Sequence, residues 1–341
     1  MKYGLIIAIS YCQYEENIKI SPLQGTYKDL EMMVEFCINK NITCDNITII
    51  TDLITIPENC IDKNVKKIEF ASCFLMCKEI CEFVENNIRN TSETPEIFIY
   101  FSCHGSKLKI ISDNNILDDE AIVLKDFTGS YLRFIRTKDI FNMLFGRYSI
   151  SEDGIITIPT YKKCRKIIRD KMFRKECIVG VVENIQISMK VPVESPEEQF
   201  NNFTRSSYLK NRGIPYNSKV LIIIDCCYSG RMLSFPYLFE NFELVKINNK
   251  NLDTEDVAYC VCISSCESNK STRSENDGSL LTKLIFNKLL KIREPLIFSD
   301  IYNILKIENF NPIISSTVDI VENYIPFFDL NNIKKPRKIF K

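Results

Sequence analysis

The chain has 341 residues, 45% of them hydrophobic, enough to bury one large core or two modest ones and too apolar for a disordered protein. Its 44 Lys and Arg are matched by 44 Asp and Glu, so no net field draws it to nucleic acid or an anionic membrane. Fifteen cysteines, an odd number in a long chain without a secretory leader pattern, read as reduced thiols of an intracellular, cytoplasmic protein.

The first apolar run, Leu5 to Ser10, is too short for a signal core and reads as a buried strand. Similar β-rich runs follow at Ile47 to Ile50, Ile97 to Phe101, Val220 to Ile224 and Val257 to Ile263, and no run is long enough to cross a bilayer. Between them, helical periodicity predicts helices over Lys28 to Asn39, Ile68 to Asn87, Thr137 to Leu144 and Ser279 to Leu290. Strands that are apolar on both faces and alternate with helices predict an α/β fold, a mainly parallel sheet with helices on both sides. Cys73, Cys77 and Cys81 recur every fourth residue and read as small apolar groups on one buried helix face. No Cys-x-x-Cys pair occurs and His104 is the only histidine, so no structural zinc site is expected. From about 147 to 218 the pattern weakens into polar and charged clusters, which predicts an insertion outside the core sheet. The last residues, 333–341, read as a solvated basic tail. No segment precedes the first strand, so recruitment through a separate adaptor domain is not expected.

In open sheets of this kind functional residues gather beyond the carboxyl ends of strands. Two such ends carry unusual residues: Phe101-Ser102-Cys103-His104-Gly105 and Asp225-Cys226-Cys227-Tyr228-Ser229-Gly230. Nucleophilic catalysis by a thiol requires a base within reach and backbone amides aimed at the developing oxyanion. His104 is the only imidazole available as base, and Gly105 behind it lets a backbone amide approach a carbonyl. Either Cys226 or Cys227 fits as the thiol. Alone, each residue is more ordinarily structural; the pairing of two small-residue turns after the two clearest buried strands favours catalysis.

These two segments resemble the signatures of the metacaspases, Tyr-Ser-Gly-His-Gly and Asp-x-Cys-x-Ser-Gly. The resemblance extends to Tyr3 through Tyr11 as an opening strand, to Leu23-Gln24-Gly25 through Asp29 as a helix entry, and to Ile263 to Cys266 with Gly278 to Thr282 after the fifth strand. It covers roughly residues 3–146 and 219–328. It implies a caspase-like three-layer fold with a mainly parallel six-stranded sheet, and a peptidase domain spanning 1–332 with the 147–218 insertion. It further implies a cysteine endopeptidase with a dyad of His104 and Cys227, with Cys226 turned back into the sheet. The amides of Gly105 and Cys227 would form the oxyanion site. Asp29, Ser102 and Asp225 would line a pocket for Arg or Lys before the cut, so the implied partners are protein or peptide substrates of a monomeric enzyme. Taken alone, Asp29 reads as an acidic residue in a helix's first turn.

Caspases place the histidine about 50 residues before the cysteine; here the two lie 123 residues apart, and the excess matches the proposed insertion. If the chain cuts itself, the expected sites are Lys162, Lys163, Arg165, Lys166, Arg169, Lys210 and Arg212 of this insertion. Two departures stand out. Cys103 replaces the family's glycine, and the segments corresponding to its calcium-binding aspartates read Ile135-Arg136-Thr137-Lys138-Asp139 and Arg231 to Phe235. Cations in such a site repel calcium, so no cofactor is expected unless Asp113, Asp118, Asp119 or Asp126 rebuild it. The alternatives are an inactive caspase-like interaction module, a paracaspase, or an asparagine-specific peptidase.

Overall fold

Consecutive side chains on a strand point to opposite faces, so an unbroken apolar run is stable only where both faces are covered. The computed structural model describes residues 1–13, 20–88, 94–112, 115–126, 131–151, 155–169, 174–188, 213–227, 229, 233, 235–240, 243–246, 258–265, 274–290, 292, 295–306, 310, 312–318 and 325–328. In chain order it comprises β1 (Lys2–Ala8), α1 (Thr26–Asn39), β2 (Ile47–Thr51), β3 (Asn64–Lys67), α2 (Cys73–Phe83) and β4 (Glu96–Ser102). There follow β5 (Gly105–Ser112), β6 (Asn115–Lys125), β7 (Leu132–Arg136), α3 (Thr137–Leu144), β8 (Ser149–Ile150), β9 (Ile155–Arg169) and β10 (Arg174–Ser188). The remainder is β11 (Lys219–Asp225), β12 (Tyr237–Glu240), β13 (Glu243–Lys246), β14 (Tyr259–Ser264), β15 (Ser274–Glu275), β16 (Gly278–Ser279), α4 (Leu280–Leu284), α5 (Phe298–Leu305) and β17 (Ile313–Ser316).

The main sheet has nine strands in the order β13-β12-β17-β14-β11-β4-β1-β2-β3. From β14 to β3 every pairing is parallel, and β17, β12 and β13 add an antiparallel edge. The sheet is therefore larger than the six strands expected from sequence. The short segments Tyr237–Glu240, Glu243–Lys246 and Ile313–Ser316 pair only at an edge and lack long apolar runs. Period two sorts each central strand between two cores. Leu5, Ile7, Ile97, Ile99, Val220 and Ile222 pack with Met76, Cys77 and Ile80 of α2 and with Ile140 and Phe141 of α3. Ile6, Ala8, Phe98, Tyr100, Leu221 and Ile223 pack with Leu30 and Met33 of α1 and with residues of α4 and α5. Fully burying each such side chain contributes about 1.5–3 kcal/mol relative to exposure. The cysteines of α2 lie on this buried face, and burial pushes the Cys81 thiol up to about 12.

A second sheet, β10-β5-β6-β7-β9-β8, springs directly from the end of β4. The stretch 147–218, expected as a weakly patterned insertion outside the core sheet, carries two long strands of this second sheet: β9 and β10 pair antiparallel over fifteen residues each. Gly180 lets β10 lie against β5, since a Cβ there would meet Leu108 Cδ1 at 2.8 Å. Lys162, Lys163, Arg165, Lys166 and Arg169 are all in register with β10. Cutting beside them requires the hairpin to open, which argues against the self-cleavage expected there. Lys210, Arg212 and the tail 333–341 lie outside the described residues. Among the described residues no helix is long and apolar enough to cross a membrane, and the cysteines of the main sheet and its helices, Cys226 and Cys227 included, are free thiols.

Candidate active site

The strands that carry the two signature segments are direct neighbours. In the β4–β11 ladder Phe101 stands opposite Ile224 and Ser102 opposite Asp225, so His104 and Cys227 leave the same edge two residues past each strand. A cavity of about 300 Å³ opens there, lined by Ser21, Pro22, Leu23, Gln24, Asp29, Ser102, Cys103, His104, Asp225, Cys227, Asn276 and Ser279. Every side chain expected at the site is among them. Gly105, expected to supply an oxyanion amide, opens β5 one residue beyond this lining, paired with Ile122.

His104 Nε2 lies 2.6 Å from the backbone carbonyl oxygen of Ser21. A carbonyl only accepts, so Nε2 carries the proton and donates it, which leaves Nδ1 of the neutral ring with a free lone pair. Burial holds the imidazole below its ordinary pKa, partly opposed by the bond to Ser21, and keeps the ring neutral at pH 7. The sequence offered no third side chain to orient His104; the group bonded to its ring is this backbone carbonyl, which no residue type announces. Tyr11 also escaped the sequence reading: its ring stands 4.7 Å from the imidazole and its hydroxyl accepts from the His104 backbone N–H at 3.0 Å.

The two thiols differ in burial. Cys226 is 1% exposed and belongs to the core between the sheet and α2, whereas Cys227 is half-buried and lines the cavity. Ser229 is buried below them, its hydroxyl 3.4 Å from that of Ser265, and Ser265 donates to the Cys226 carbonyl at 3.2 Å. Tyr228 and Gly230 lie outside the described residues.

The cavity is also acidic. Asp29 is 1% and Asp225 5% exposed. Ser279 bridges them: its backbone N–H donates to Asp29 Oδ1 at 2.7 Å and its hydroxyl donates to Asp225 Oδ2. Ser102 donates to Asp29 Oδ2 at 3.2 Å, and Thr282 donates to Asp225 Oδ2 through its hydroxyl at 2.8 Å and its N–H at 3.2 Å. Among the described residues no hydrogen bond of good geometry reaches Asp225 Oδ1. Burial, then the charge of Asp225, raises Asp29 to about 7; burial raises Asp225 as well, opposed by the Ser279 hydroxyl, by the hydroxyl and N–H of Thr282, and by the Ser265 hydroxyl. Gly278 holds φ +111°, and a Cβ on it would meet Asp29 Oδ1 at 2.8 Å, so only glycine lets Ser279 reach this position. The run Gly278 to Thr282 was legible as a landmark, but its role as the clamp between two carboxylates was not.

Where calcium-binding aspartates were sought, a guanidinium stands. Arg136 donates to both oxygens of Asp139 at 2.8 and 2.9 Å, reaches Asp119 at 3.9 Å, and lies over the Tyr161 ring at 4.9 Å. Leu233 and Phe235 of the second segment are buried core residues. Among the described residues, no group of three or more His, Cys, Asp or Glu is arranged to hold a metal.

No family model matches the chain, and no curated protein matches it. Among solved structures, that of protein GSU0716 from Geobacter sulfurreducens aligns with 97% of this chain and 100% of that one, at 11% identity and a TM-score of 0.44.

Brief alkylation of the native protein with iodoacetamide followed by peptide mapping is expected to modify Cys227 and spare Cys226. Faster labelling of Cys226 would show that the turn after β11 is built in the opposite register.

Proposed function

We propose that the protein is a caspase-like cysteine endopeptidase of the metacaspase type, cutting peptides after Arg or Lys. The observation that carries this reading is a single cavity that joins a thiol, an imidazole with its lone pair on Nδ1, and two buried carboxylates to which no cation is paired among the described residues. In the reaction His104 Nδ1 takes the Cys227 proton, and the thiolate attacks the scissile carbonyl carbon. The oxyanion is assigned to the amides of Gly105 and Cys227. Collapse of the tetrahedral intermediate breaks the C–N bond as the imidazolium returns its proton to the leaving amine. Water, deprotonated by His104, then hydrolyses the thioester.

The preceding Arg or Lys side chain would enter between Asp29 and Asp225. An unmatched buried carboxylate is costly to maintain and a fitting cation relieves that cost, so Asp225, paired with no cation among the described residues, supports a basic residue and disfavours aspartate. The same pocket offers a neutral asparagine no charge to match. The Arg136 contacts support an enzyme that works without calcium, because the ion would have to displace a covalently tethered cation from its carboxylates. Self-processing, if it occurs, is left to Lys210 and Arg212, since the bonds beside 162–169 are held in the β9–β10 ladder.

Hydrolysis of peptides ending in Arg or Lys is expected from the wild type and is expected to vanish in Cys227→Ala and His104→Ala, which act as one unit. Asp225→Asn is expected to lower kcat/KM for these peptides by about 2–5 kcal/mol, roughly thirtyfold to several thousandfold. Efficient cleavage after Asp or Asn with none after Arg would overturn the specificity, and activity retained in Cys227→Ala would overturn the mechanism.

The pocket also fixes a pH dependence. Below about pH 7 Asp29 binds a proton and the cavity offers a cation one negative charge fewer; above it the second charge appears. The kcat/KM ratio of an arginine substrate to its uncharged citrulline counterpart is therefore expected to rise from pH 6 to pH 8. In Asp29→Asn the ratio is expected to be flat, which a fluorogenic assay across that range will check.

A further inference from the structure

We propose that Asp52 and Tyr11, outside the cavity lining, are positioning residues for His104: Asp52 locks a left-handed turn at Tyr11, and that turn seats both sides of the imidazole. The inference rests on reading His104 as the base. Tyr11 follows β1 with φ of 56°, a conformation that a bulky non-glycine residue rarely adopts and that surrounding structure must hold. Asp52, at the end of β2, holds it. The backbone N–H groups of Ser10 and Tyr11 donate to Asp52 Oδ1 and Oδ2 at 2.6 and 2.7 Å, and the Ser10 hydroxyl adds a third bond at 2.9 Å. All three residues are at most 2% exposed.

From this turn two arms reach the histidine. In one, the Tyr11 hydroxyl donates to the Val123 carbonyl at 2.5 Å and accepts from the His104 N–H at 3.0 Å, while Val123 N–H donates back to the His104 carbonyl at 2.9 Å. Burial pushes the Tyr11 hydroxyl well above its ordinary pKa, so it keeps the proton that this bridge requires. In the other, the Ser10 carbonyl accepts from Leu23 N–H at 2.8 Å, which ties down the segment whose Ser21 carbonyl receives the Nε2 proton. The turn therefore fixes the backbone of His104, one face of its ring and the acceptor that selects its tautomer. The titratable groups facing this assembly are Cys227 across the cavity, and Cys103, Cys226 and Asp52 around Tyr11.

Because His104 is the only histidine, its ring nitrogens give unambiguous ¹⁵N resonances. In the wild type these are expected to report the Nε2–H tautomer. Asn at position 52 presents one acceptor where two N–H groups need one each, and Phe at position 11 removes the hydroxyl bridge while keeping the ring. Asp52→Asn and Tyr11→Phe are each expected to shift the ¹⁵N pattern toward mixed tautomers and to lower kcat by about ten- to a hundredfold, the scale of a displaced catalytic group, with KM little changed. If Asp52→Asn does not fold, Tyr11→Phe decides alone. Wild-type tautomer and kcat in a folded Tyr11→Phe, whatever its thermal stability, would overturn the proposal. The ¹⁵N measurement needs no substrate: a shifted tautomer in the variants of a protein without peptidase activity would uphold the positioning role and reject the peptidase reading.

Discussion

The site depends on one ladder, the parallel pairing of β4 with β11. Parallel neighbours end on the same edge of a sheet, and the register that sets Ser102 against Asp225 places the next residues of both strands side by side. A shift of one residue would turn Ile222 and Ile224 to the opposite face and Leu221 and Ile223 out of the core they share with α1. The hydrophobic patterning that stabilises the sheet thus also fixes the geometry of the site. The pairing also determines which cysteine is presented: with Asp225 as the last strand residue, Cys226 falls into the core and Cys227 lines the cavity.

A second constraint is electrostatic. Two carboxylates share one small buried space, tied by Ser279 and, among the described residues, paired with no cation. An unsatisfied buried polar atom costs roughly 1–3 kcal/mol and more when charged, and the charge of Asp225 contributes to keeping Asp29 near neutrality. Contrast the Arg136 cluster beside the second sheet, where the buried Asp139 and the half-buried Asp119 share one guanidinium. One pair of acids is matched by a cation of the protein itself; among the described residues the other is not, which is what the proposed binding of a basic side chain requires.

Much of this was legible in the sequence. The central parallel strands stand out because burial on both faces demands unbroken apolar runs such as Leu221-Ile222-Ile223-Ile224. The two strand ends stand out because small residues and unusual chemistry follow those runs. Most of what escaped lacks such a signature, with one exception. The β5–β6 hairpin does alternate, with Lys107 and Lys109 exposed and Leu108 and Ile110 buried, a period-two signal that was open to reading. The β9 segment is stabilised by its fifteen-residue pairing with β10, and its run of Lys and Arg hides a strand inside a solvated pattern. Ser21 contributes only a carbonyl and Asp52 only an anchor for two amides, roles that depend on chain path.

The central claim is that Cys227 is a nucleophile served by an acidic specificity pocket. Treating the protein with peptidyl fluoromethyl ketones ending in arginine, aspartate or asparagine, then locating any adduct by mass spectrometry, tests it most directly. The account predicts a single covalent adduct on Cys227 from the arginine reagent, absent after His104→Ala, and none from the aspartate reagent. Reaction with the aspartate reagent in preference to arginine, an adduct on Cys226, or no adduct from any of the three would contradict it.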